Sequence, residues 1–557
     1  MTTDLAAEQW PSENDRGYRI PEQRFGTIHP IKVIAIGAGI SVISLAHDIQ
    51  EYGEQIQLTI YEMGTDVGGT WYPGCRCDIP SVNYQMSWYP NPDWTEYYST
   101  AIEIYQYYKD IVEKFGLKKF IRFSHEVVRA VWVDDTKSWR LTVRDPDGSQ
   151  FEDECNVFIN AGGVLNDWKW PDIKGLHDFK GTLCHTARWP KDFDYRDKRV
   201  AVIGSGSSGI QVLATIQPYV KQLYHWIRSP TWITPGFAQQ FAAPGGKNFQ
   251  LKSTNLSRYR ATEEEGTPEQ KAVLKVSAQK DMCQRLNGDQ RLINAIVPTK
   301  FVVGCRRPTP GNGYLEALLE PNVQVFTDMF LEITSKGFID SQGNEHSADA
   351  IICATGFNTS FIPRFPVVGQ HGKNVQDRWK EYPIDSYLSL AVKDTPNVSI
   401  FSTSCPRLCP TGHGSGAPMI EAMTRCFMQF IRKMQVENIV SMQVKHKAAD
   451  DFNEHRELYL KRTAWAGRCN SWFKPGPDAS PVMFPGNRVL FIELLTNPRW
   501  EDWEYEYGYA GNRFGYLGNG FTMREVDGRD TTFYYGLLDG KDEQPDYSDL
   551  RSTYAWM

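Results

Sequence analysis

The stretch that decides the fold is "KRVAVIGSGSSGIQVLATI", residues 198–216. Its apolar run predicts a buried strand, its glycine-rich segment a tight turn, and the apolar spacing that follows a helix. The glycines have the G-x-G-x-x-G spacing of a dinucleotide-binding βαβ unit, in which a pyrophosphate lies at the helix N-terminus. The segment therefore predicts a nucleotide site made of Gly204, Ser205, Gly206, Ser207, Ser208 and Gly209.

A similar stretch lies earlier in the chain, "IKVIAIGAGISVISLAHDIQ", residues 31–50. Here Gly37 makes the tight turn and Gly39 lets the backbone approach a pyrophosphate, and we assign Ile40 to the same cofactor site. Val42 takes the third position, where Gly or Ala is usual. Glu62 follows Gly37 by 25 residues and ends the next predicted strand, where a carboxylate can accept hydrogen bonds from a ribose. The alternative interpretation of Glu62 is a solvated strand end.

The equivalent position of the later unit carries the opposite charge. Arg228 follows Gly204 by 24 residues, and Ser229 comes next. An acidic residue suits an unphosphorylated ribose and an arginine suits a 2′-phosphate, so we expect FAD in the first site and NADPH in the second. The alternative for Arg228 is an ordinary surface arginine. Because no Cys-x-x-x-x-Cys pair lies near the first helix, molecular oxygen is the expected electron acceptor.

Composition narrows the remaining possibilities. The chain has 557 residues, enough for two to four domains, and a formal net charge of −7, which argues against a nucleic-acid binder. The first residues are polar, and no long stretch is free of polar residues, so we expect a cytoplasmic protein without a membrane span. The 11 cysteines are then expected to be reduced thiols and to form no metal site. We expect a monomer.

The expected fold is α/β, with two Rossmann-like dinucleotide-binding domains and a helical insertion in the second. We assign residues 1–165 and 360–557 to an FAD-binding domain, residues 166–235 and 300–359 to an NADP-binding domain, and residues 236–299 to the insertion. The chain after about residue 400 is rich in Gly, Pro and aromatic residues. We expect it to pack irregularly around the active site.

The connection between the two glycine turns carries a longer motif. "FKGTLCHTARWP", residues 179–190, resembles the fingerprint F-x-G-x-x-x-H-x-x-x-W-[P/D] of type I Baeyer–Villiger monooxygenases. The resemblance implies a flavin monooxygenase that uses NADPH and O2 to insert one oxygen next to the carbonyl of a small-molecule ketone, through a C4a-peroxyflavin, giving an ester or lactone. It also implies that His185 is a structural hub that couples the two nucleotide domains.

The same resemblance assigns roles within other motifs. In "GGTWYPGCRCD" it places Asp78 beside the flavin, and in "GCRRPTPGNGY" it makes Arg307 the active-site arginine, with Arg306 facing the 2′-phosphate. Arginine stays charged at any working pH, so Arg307 is suited to stabilising an oxyanion, with Asp78 holding it in place. The remaining positions that the resemblance assigns to cofactor binding are Gly69, Thr70, Trp71, Tyr84, Val127 and Trp472.

One departure from the family keeps other functions open. Trp71 and Tyr72 are adjacent, whereas members of the family usually have four residues between these positions. The alternatives are a flavin monooxygenase that oxidises nitrogen or sulfur, and a weakly active, NADPH oxidase-like flavoprotein whose shortened loop has reduced turnover.

Overall fold

The computed structural model describes residues 13–532 except 69–71, 164, 235–267, 308, 312, 329–331, 382–384, 400–415, 475 and 530. Within these residues the strands are β1 (Ile31–Ile36), β2 (Ile56–Glu62), β3 (Ile121–Phe123), β4 (Glu126–Val133), β5 (Ser138–Arg144), β6 (Gln150–Cys155), β7 (Val157–Asn160), β8 (Thr182–His185), β9 (Arg199–Ile203), β10 (Gln222–Trp226), β11 (Ile233–Thr234), β12 (Thr309–Pro310), β13 (Val323–Phe326), β14 (Glu332–Thr334), β15 (Gly337–Ile339), β16 (Glu345–Ser347), β17 (Ala350–Cys353), β18 (Val367–Val368), β19 (Val398–Ser399), β20 (Ile439–Val444) and β21 (Trp503–Tyr507).

The α-helices of the same residues connect or cover these strands. They are α1 (Ile40–Tyr52), α2 (Ala101–Lys114), α3 (Ser207–Ile216), α4 (Pro268–Arg285), α5 (Gln290–Ile296), α6 (Tyr314–Ala317), α7 (Val375–Glu381), α8 (Ala417–Glu437), α9 (His446–Leu460) and α10 (Arg488–Thr496). No helix in these ranges is long and apolar enough to cross a membrane.

Two five-stranded parallel sheets form the framework. The first has the order β19-β7-β1-β2-β3 and the second the order β13-β10-β9-β17-β8. In each sheet the glycine turn joins a central strand, β1 or β9, to a helix that leads to the neighbouring strand, β2 or β10. The predicted α/β fold with two Rossmann-like units is confirmed.

Both sheets are buried on both faces, as parallel strands require. On the first sheet, Val33 and Ala35 belong to the core under α1 and α8, whereas Ile34 faces a core shared with the sheet of order β18-β4-β5-β6. On the second sheet, Val202 faces α3 and Ala201 faces the hairpins of β14, β15 and β16. Alternate side chains of one strand therefore hold a helical layer and a β layer together.

The expectation of irregular packing after residue 400 is wrong for three helical segments, whereas the described residues between α9 and α10 and after β21 contain no α-helix or β-strand. Helix α8 is 21 residues long, and α9 and α10 follow it. Met419, Met423, Phe427 and Met434 recur at helical spacing on α8 and are buried against the first sheet. The Gly and Pro content of neighbouring segments concealed this periodicity.

The predicted insertion contains two helices, α4 and α5, within its described part. Met282, Leu286, Leu292 and Ile296 from this region are buried in the core of the second sheet. Residues 236–267 of the predicted insertion lie outside the described residues. The two helices therefore complete the second nucleotide-binding unit.

Candidate active site

The first glycine turn leaves room beside the N-terminus of α1. Gly37 has φ +91°, and a Cβ there would lie 2.7 Å from the carbonyl oxygen of Ala161, so the position requires glycine. Gly39 is the N-cap of α1 without a side-chain cap, and a Cβ there would meet nothing within 4 Å. Ile40, also assigned to the cofactor site, is the first residue of the helix. Open space in front of an uncapped helix is what a pyrophosphate requires.

Glu62 lies at the rim of this turn. Its Oε2 accepts a hydrogen bond from the backbone N–H of Ala38 at 2.7 Å, and its Oε1 accepts one from that of Gly64 at 2.6 Å. A carboxylate has about four acceptor positions, so two remain for hydroxyl groups of a ribose. Val42 is 1 % exposed and packs in the core, which shows that the helix accommodates valine at the third position.

The second glycine turn has the same open cradle. Gly206 caps α3 without a side chain, and a Cβ there would again meet nothing within 4 Å. Cβ atoms at Gly204 and Gly209 would instead clash with the carbonyl oxygens of Ala354 and Gly204, respectively. The hydroxyl groups nearest the turn belong to Ser205, Ser207 and Ser208, of which Ser207 hydrogen-bonds Thr309 at 2.8 Å.

Two arginines meet beyond the end of β10. Arg228 is exposed, whereas Arg306 is half-buried and donates from Nη1 to the carbonyl oxygen of Pro230 at 3.0 Å. Burial, and then the nearby charge of Arg228, lower the pKa of Arg306 from its ordinary value. Ser229, which follows Arg228 in the sequence, is half-buried. Two guanidinium groups close enough to repel one another form a suitable site for a dianionic phosphate.

An ion pair joins the two nucleotide-binding units. Arg307 donates from Nε to Oδ2 of Asp78, and each side chain is 23 % exposed. The Tyr84 hydroxyl lies 3.4 Å from Asp78 Oδ1. Burial works to raise the pKa of Asp78, but the Arg307 guanidinium outweighs it and holds that pKa below its ordinary value. Burial and then Asp78 raise the pKa of Tyr84 well above its ordinary range, so its phenol stays protonated.

A second contact between the units lies beside this pair, and the sequence did not predict it. Gln211 on α3 accepts a hydrogen bond from the Tyr72 hydroxyl at 2.8 Å and donates to the carbonyl oxygen of Arg76 at 3.1 Å. A Cβ at Gly74 would clash with the backbone of Gln211 and with Thr215. The segment that leads to Asp78 is therefore held directly against α3 by hydrogen bonds and close packing.

His185 contacts both chain segments that connect the two parallel sheets, one through Trp168 and the other through Thr355. It ends β8 and stacks on Trp168 with ring centroids 4.5 Å apart and planes at 11°. Its Nδ1 accepts from the Ala187 N–H at 3.1 Å, so its Nε2 is the atom that donates to Thr355 Oγ1 at 3.2 Å. Burial lowers the pKa of His185 to about 4, and the ring is neutral at neutral pH.

A disulfide joins the loop that carries Trp472 to the segment that carries Arg306 and Arg307, which we call the arginine segment. Cys469 and Cys305 form a disulfide, so the expectation of reduced thiols is wrong for this pair. The Trp472 ring lies 4.7 Å from that of Phe473 and packs against a small apolar cluster. The sequence offered no signal for this pairing, because the two cysteines are 164 residues apart.

One predicted cofactor contact has its side chain in the core, and three others fall outside the described residues. Val127 is 5 % exposed in the core beneath the antiparallel sheet, so any contact with a dinucleotide would have to come from its backbone. Gly69, Thr70 and Trp71 lie outside the described residues.

Two open, uncapped helix starts, one with an acidic rim and one beside paired arginines, fit two dinucleotides of different charge. The fold and the site thus define a protein with two dinucleotide-binding units. A sequence model described as flavin-binding monooxygenase-like matches residues 31–368. The chain belongs to the flavin-binding monooxygenase-like family.

Individual proteins agree with this assignment. The chain is 37 % identical over 538 residues to the FAD-binding monooxygenase tazF of Aspergillus terreus, covering 90 % of this chain and 94 % of tazF. It is 30 % identical over 478 residues to a Baeyer-Villiger monooxygenase of Streptomyces coelicolor, covering 83 % and 90 %. The crystal structure of OTEMO in complex with FAD and NADP has the same fold, with a TM-score of 0.73, 22 % identity, and coverage of 85 % and 99 %.

Proposed function

We propose that the protein is an FAD-containing, NADPH- and O2-dependent Baeyer–Villiger monooxygenase, which inserts one oxygen atom next to a ketone carbonyl to form an ester or lactone. The observation that carries the proposal is the ion pair of Arg307 with Asp78, because it places a permanent cation between the two nucleotide-binding units. The relative from Streptomyces coelicolor, named as a Baeyer-Villiger monooxygenase, supports the proposed reaction.

The two cofactors have different cradles. In this proposal the turn of Gly37 and Gly39 holds the FAD pyrophosphate, and Glu62 accepts hydrogen bonds from its ribose. The turn of Gly204, Gly206 and Gly209 holds the NADPH pyrophosphate in the same way. We assign FAD to the domain of residues 1–165 and 360–557, and NADPH to residues 166–235 and 300–359. FAD, when bound, supplies electron transfer from NADPH and activation of dioxygen.

Coenzyme choice rests on charge. Arg306 donates to the carbonyl oxygen of Pro230, two residues after Arg228, and burial followed by the charge of Arg228 lowers the pKa of Arg306. A 2′-phosphate between them would relieve this repulsion and form charge-assisted hydrogen bonds, each worth about 1.5–3 kcal/mol. NADH lacks that phosphate. We therefore assign the NADPH preference to this pair, with Ser229 as an additional donor.

The role of Arg307 follows from its chemistry. Its guanidinium remains charged throughout the working pH range and has several donors in a planar fork. Asp78 accepts from Nε and so fixes the orientation of the group, and the guanidinium charge can stabilise negative charge that develops on oxygen during the insertion. Tyr84, which stays protonated, donates to Asp78 and steadies the pair from its other side.

Product analysis tests the proposal. The purified holoenzyme is incubated with NADPH, 18O2 and a panel of linear, cyclic and aromatic ketones, with a thioether included, and the products are analysed by gas chromatography and mass spectrometry. We expect an ester or lactone that carries one 18O atom. Formation of sulfoxide without any ester would indicate a monooxygenase that oxidises soft heteroatoms. NADPH consumption that yields hydrogen peroxide alone would indicate an oxidase.

A further inference from the structure

The disulfide binds two functional segments to one another. Cys305 directly precedes Arg306 and Arg307, and Cys469 is three residues before Trp472. Cys305 is fully buried and Cys469 is 6 % exposed. The bond therefore fixes the start of the arginine segment to the loop on which Trp472 lies, across 164 residues of sequence.

Two glycines lie close to the disulfide. A Cβ at Gly304 would lie 3.4 Å from the Cβ of Ala464, and a Cβ at Gly467 would lie 3.3 Å from the sulfur of Cys305. The backbones of the two segments therefore approach each other closely where the disulfide joins them. The sulfur of Cys305 lies 3.0 Å from the carbonyl oxygen of Gly467, which leaves the reduced thiol a hydrogen-bond acceptor in place.

The loop has its own internal support. Lys474, 3 % exposed, donates to the carbonyl oxygens of Gly467 and Pro477 at 2.7 and 2.9 Å. Phe473 is buried beside Leu460 and Met483. Breaking the disulfide therefore leaves the loop folded and removes its covalent attachment to Arg306 and Arg307.

We propose that Cys305 and Cys469 form a redox-controlled bond that regulates NADPH affinity, with the oxidised form holding the Trp472 loop against the coenzyme-binding arginines. The proposal rests on the proposed function, since it names the regulation of that same coenzyme site. In the oxidation, two thiols and one hydrogen peroxide molecule give one disulfide and two water molecules. A dithiol reverses the reaction by becoming oxidised itself.

The described residues also contain free thiols, which serve for comparison. Cys184 and Cys353 lie on the adjacent strands β8 and β17, and burial raises the pKa of each thiol to about 12. Cys283 is half-buried on α4 and unpaired, which makes it a matched control.

The experiment measures the bond and the affinity separately. Holoenzyme treated with hydrogen peroxide is compared with holoenzyme treated with dithiothreitol, by non-reducing peptide mass spectrometry and by calorimetric titration with NADP+. We expect a linked peptide of Cys305 and Cys469 in the oxidised sample, and reduction should weaken NADP+ binding by about fivefold or more because the loop is no longer preorganised. Cys469→Ser should bind NADP+ like the reduced enzyme and ignore dithiothreitol, whereas Cys283→Ser should respond like the unmodified protein.

Two outcomes would overturn the inference. Absence of the linked peptide after oxidation would show that the bond does not form, and an NADP+ affinity unchanged by reduction of a demonstrated bond would show that it does not regulate binding. If Cys469→Ser fails to fold, reduction of the unmodified holoenzyme still gives the answer. A linked, redox-sensitive enzyme that makes no ester would refute the proposed reaction and leave this inference standing.

Discussion

Arg307 and Asp78 form an ion pair although they are 229 residues apart and belong to different nucleotide-binding units. Each side chain retains 23 % exposure, so the pair is only partly buried. Because the pKa of Asp78 is held below its ordinary value, its carboxylate stays ionised at every pH at which the enzyme would work. Arg307 is therefore a cation whose planar fork is oriented by Asp78.

The arginine pair predicts how coenzyme selectivity is lost. Arg228→Ala should raise KM for NADPH roughly ten- to hundredfold and change KM for NADH little, since each charge-assisted hydrogen bond contributes about 1.5–3 kcal/mol. Steady-state kinetics with both coenzymes measures this. Lys221→Ala, another exposed cation next to the start of β10, is the control and should leave both constants unchanged. Equal losses with NADPH and NADH would mean that Arg228 has a structural role.

The glycines predict a contrast between binding and folding. Gly39→Leu should fold, because the position has φ −86° and open space, yet it should purify without yellow FAD because its side chain occupies the pyrophosphate cradle. Gly209→Ala should instead lower the melting temperature, since its Cβ would clash with the Gly204 carbonyl. Absorbance at 450 nm and thermal unfolding separate the two effects. A Gly39→Leu protein that retains a full complement of FAD would contradict the assigned site.

The two hydrogen bonds of the Gln211 side chain predict that their removal makes NADPH consumption less tightly coupled to ester formation. Gln211→Ala removes the hydrogen bonds to Tyr72 and Arg76, each worth about 0.5–1.5 kcal/mol, and loosens the segment that carries Asp78. We expect a severalfold rise in NADPH consumed per ester formed. Gln217→Ala removes a comparable side-chain bond, to Asn322, within one unit and should stay coupled. Equal coupling in both variants would show that the hydrogen bonds of Gln211 do not position the ion pair of Arg307 and Asp78.

His185 predicts a pH dependence of stability. Its folded-state pKa of about 4 lies below the ordinary value of about 6.5, so between these values the unfolded chain binds a proton that the folded chain excludes. The free energy of unfolding should therefore fall as pH decreases from 6.5 to 4. His185→Gln should make this fall shallower by at most one proton, about 1.4 kcal/mol per pH unit. Urea unfolding at pH 7.5, 6 and 5 measures the slopes, and identical slopes would show that His185 does not contribute.

The features that depend on residues close together in the sequence were predictable from the sequence pattern. The turns of Gly37 and Gly204 follow from backbone sterics within a few residues, and the positions of Glu62 and Arg228 follow from the length of a βαβ unit. These features could be read from spacing alone. Helix α8 was missed because the Gly and Pro around it outweighed its own apolar period.

Long-range partners could not be read in the same way. The proximity of Asp78 and Arg307 came from the resemblance of their motifs, since no spacing rule relates residues so far apart. Gln211 and Tyr72, 139 residues apart, and Cys305 and Cys469 had no such motif role, and their contacts depend on how the two units pack. The chemistry of a residue is local, whereas its partner is set by the tertiary fold.

The companion variant of the central ion pair is Asp78→Ala. It keeps the Arg307 charge and loses the acceptor that orients it, so ester formation should fall less than in a variant without the arginine. Arg144→Ala, which removes an exposed pair with Glu126, is the control and should retain normal activity.

We expect Arg307 to serve oxygen insertion, and the amount of ester formed per NADPH consumed by Arg307→Ala holoenzyme measures this role. The variant should fold, retain FAD and still consume NADPH in part, while ester formation falls by at least about a hundredfold and hydrogen peroxide accumulates instead. Ester formation at a near-normal rate and yield in Arg307→Ala would show that Arg307 does not serve oxygen insertion.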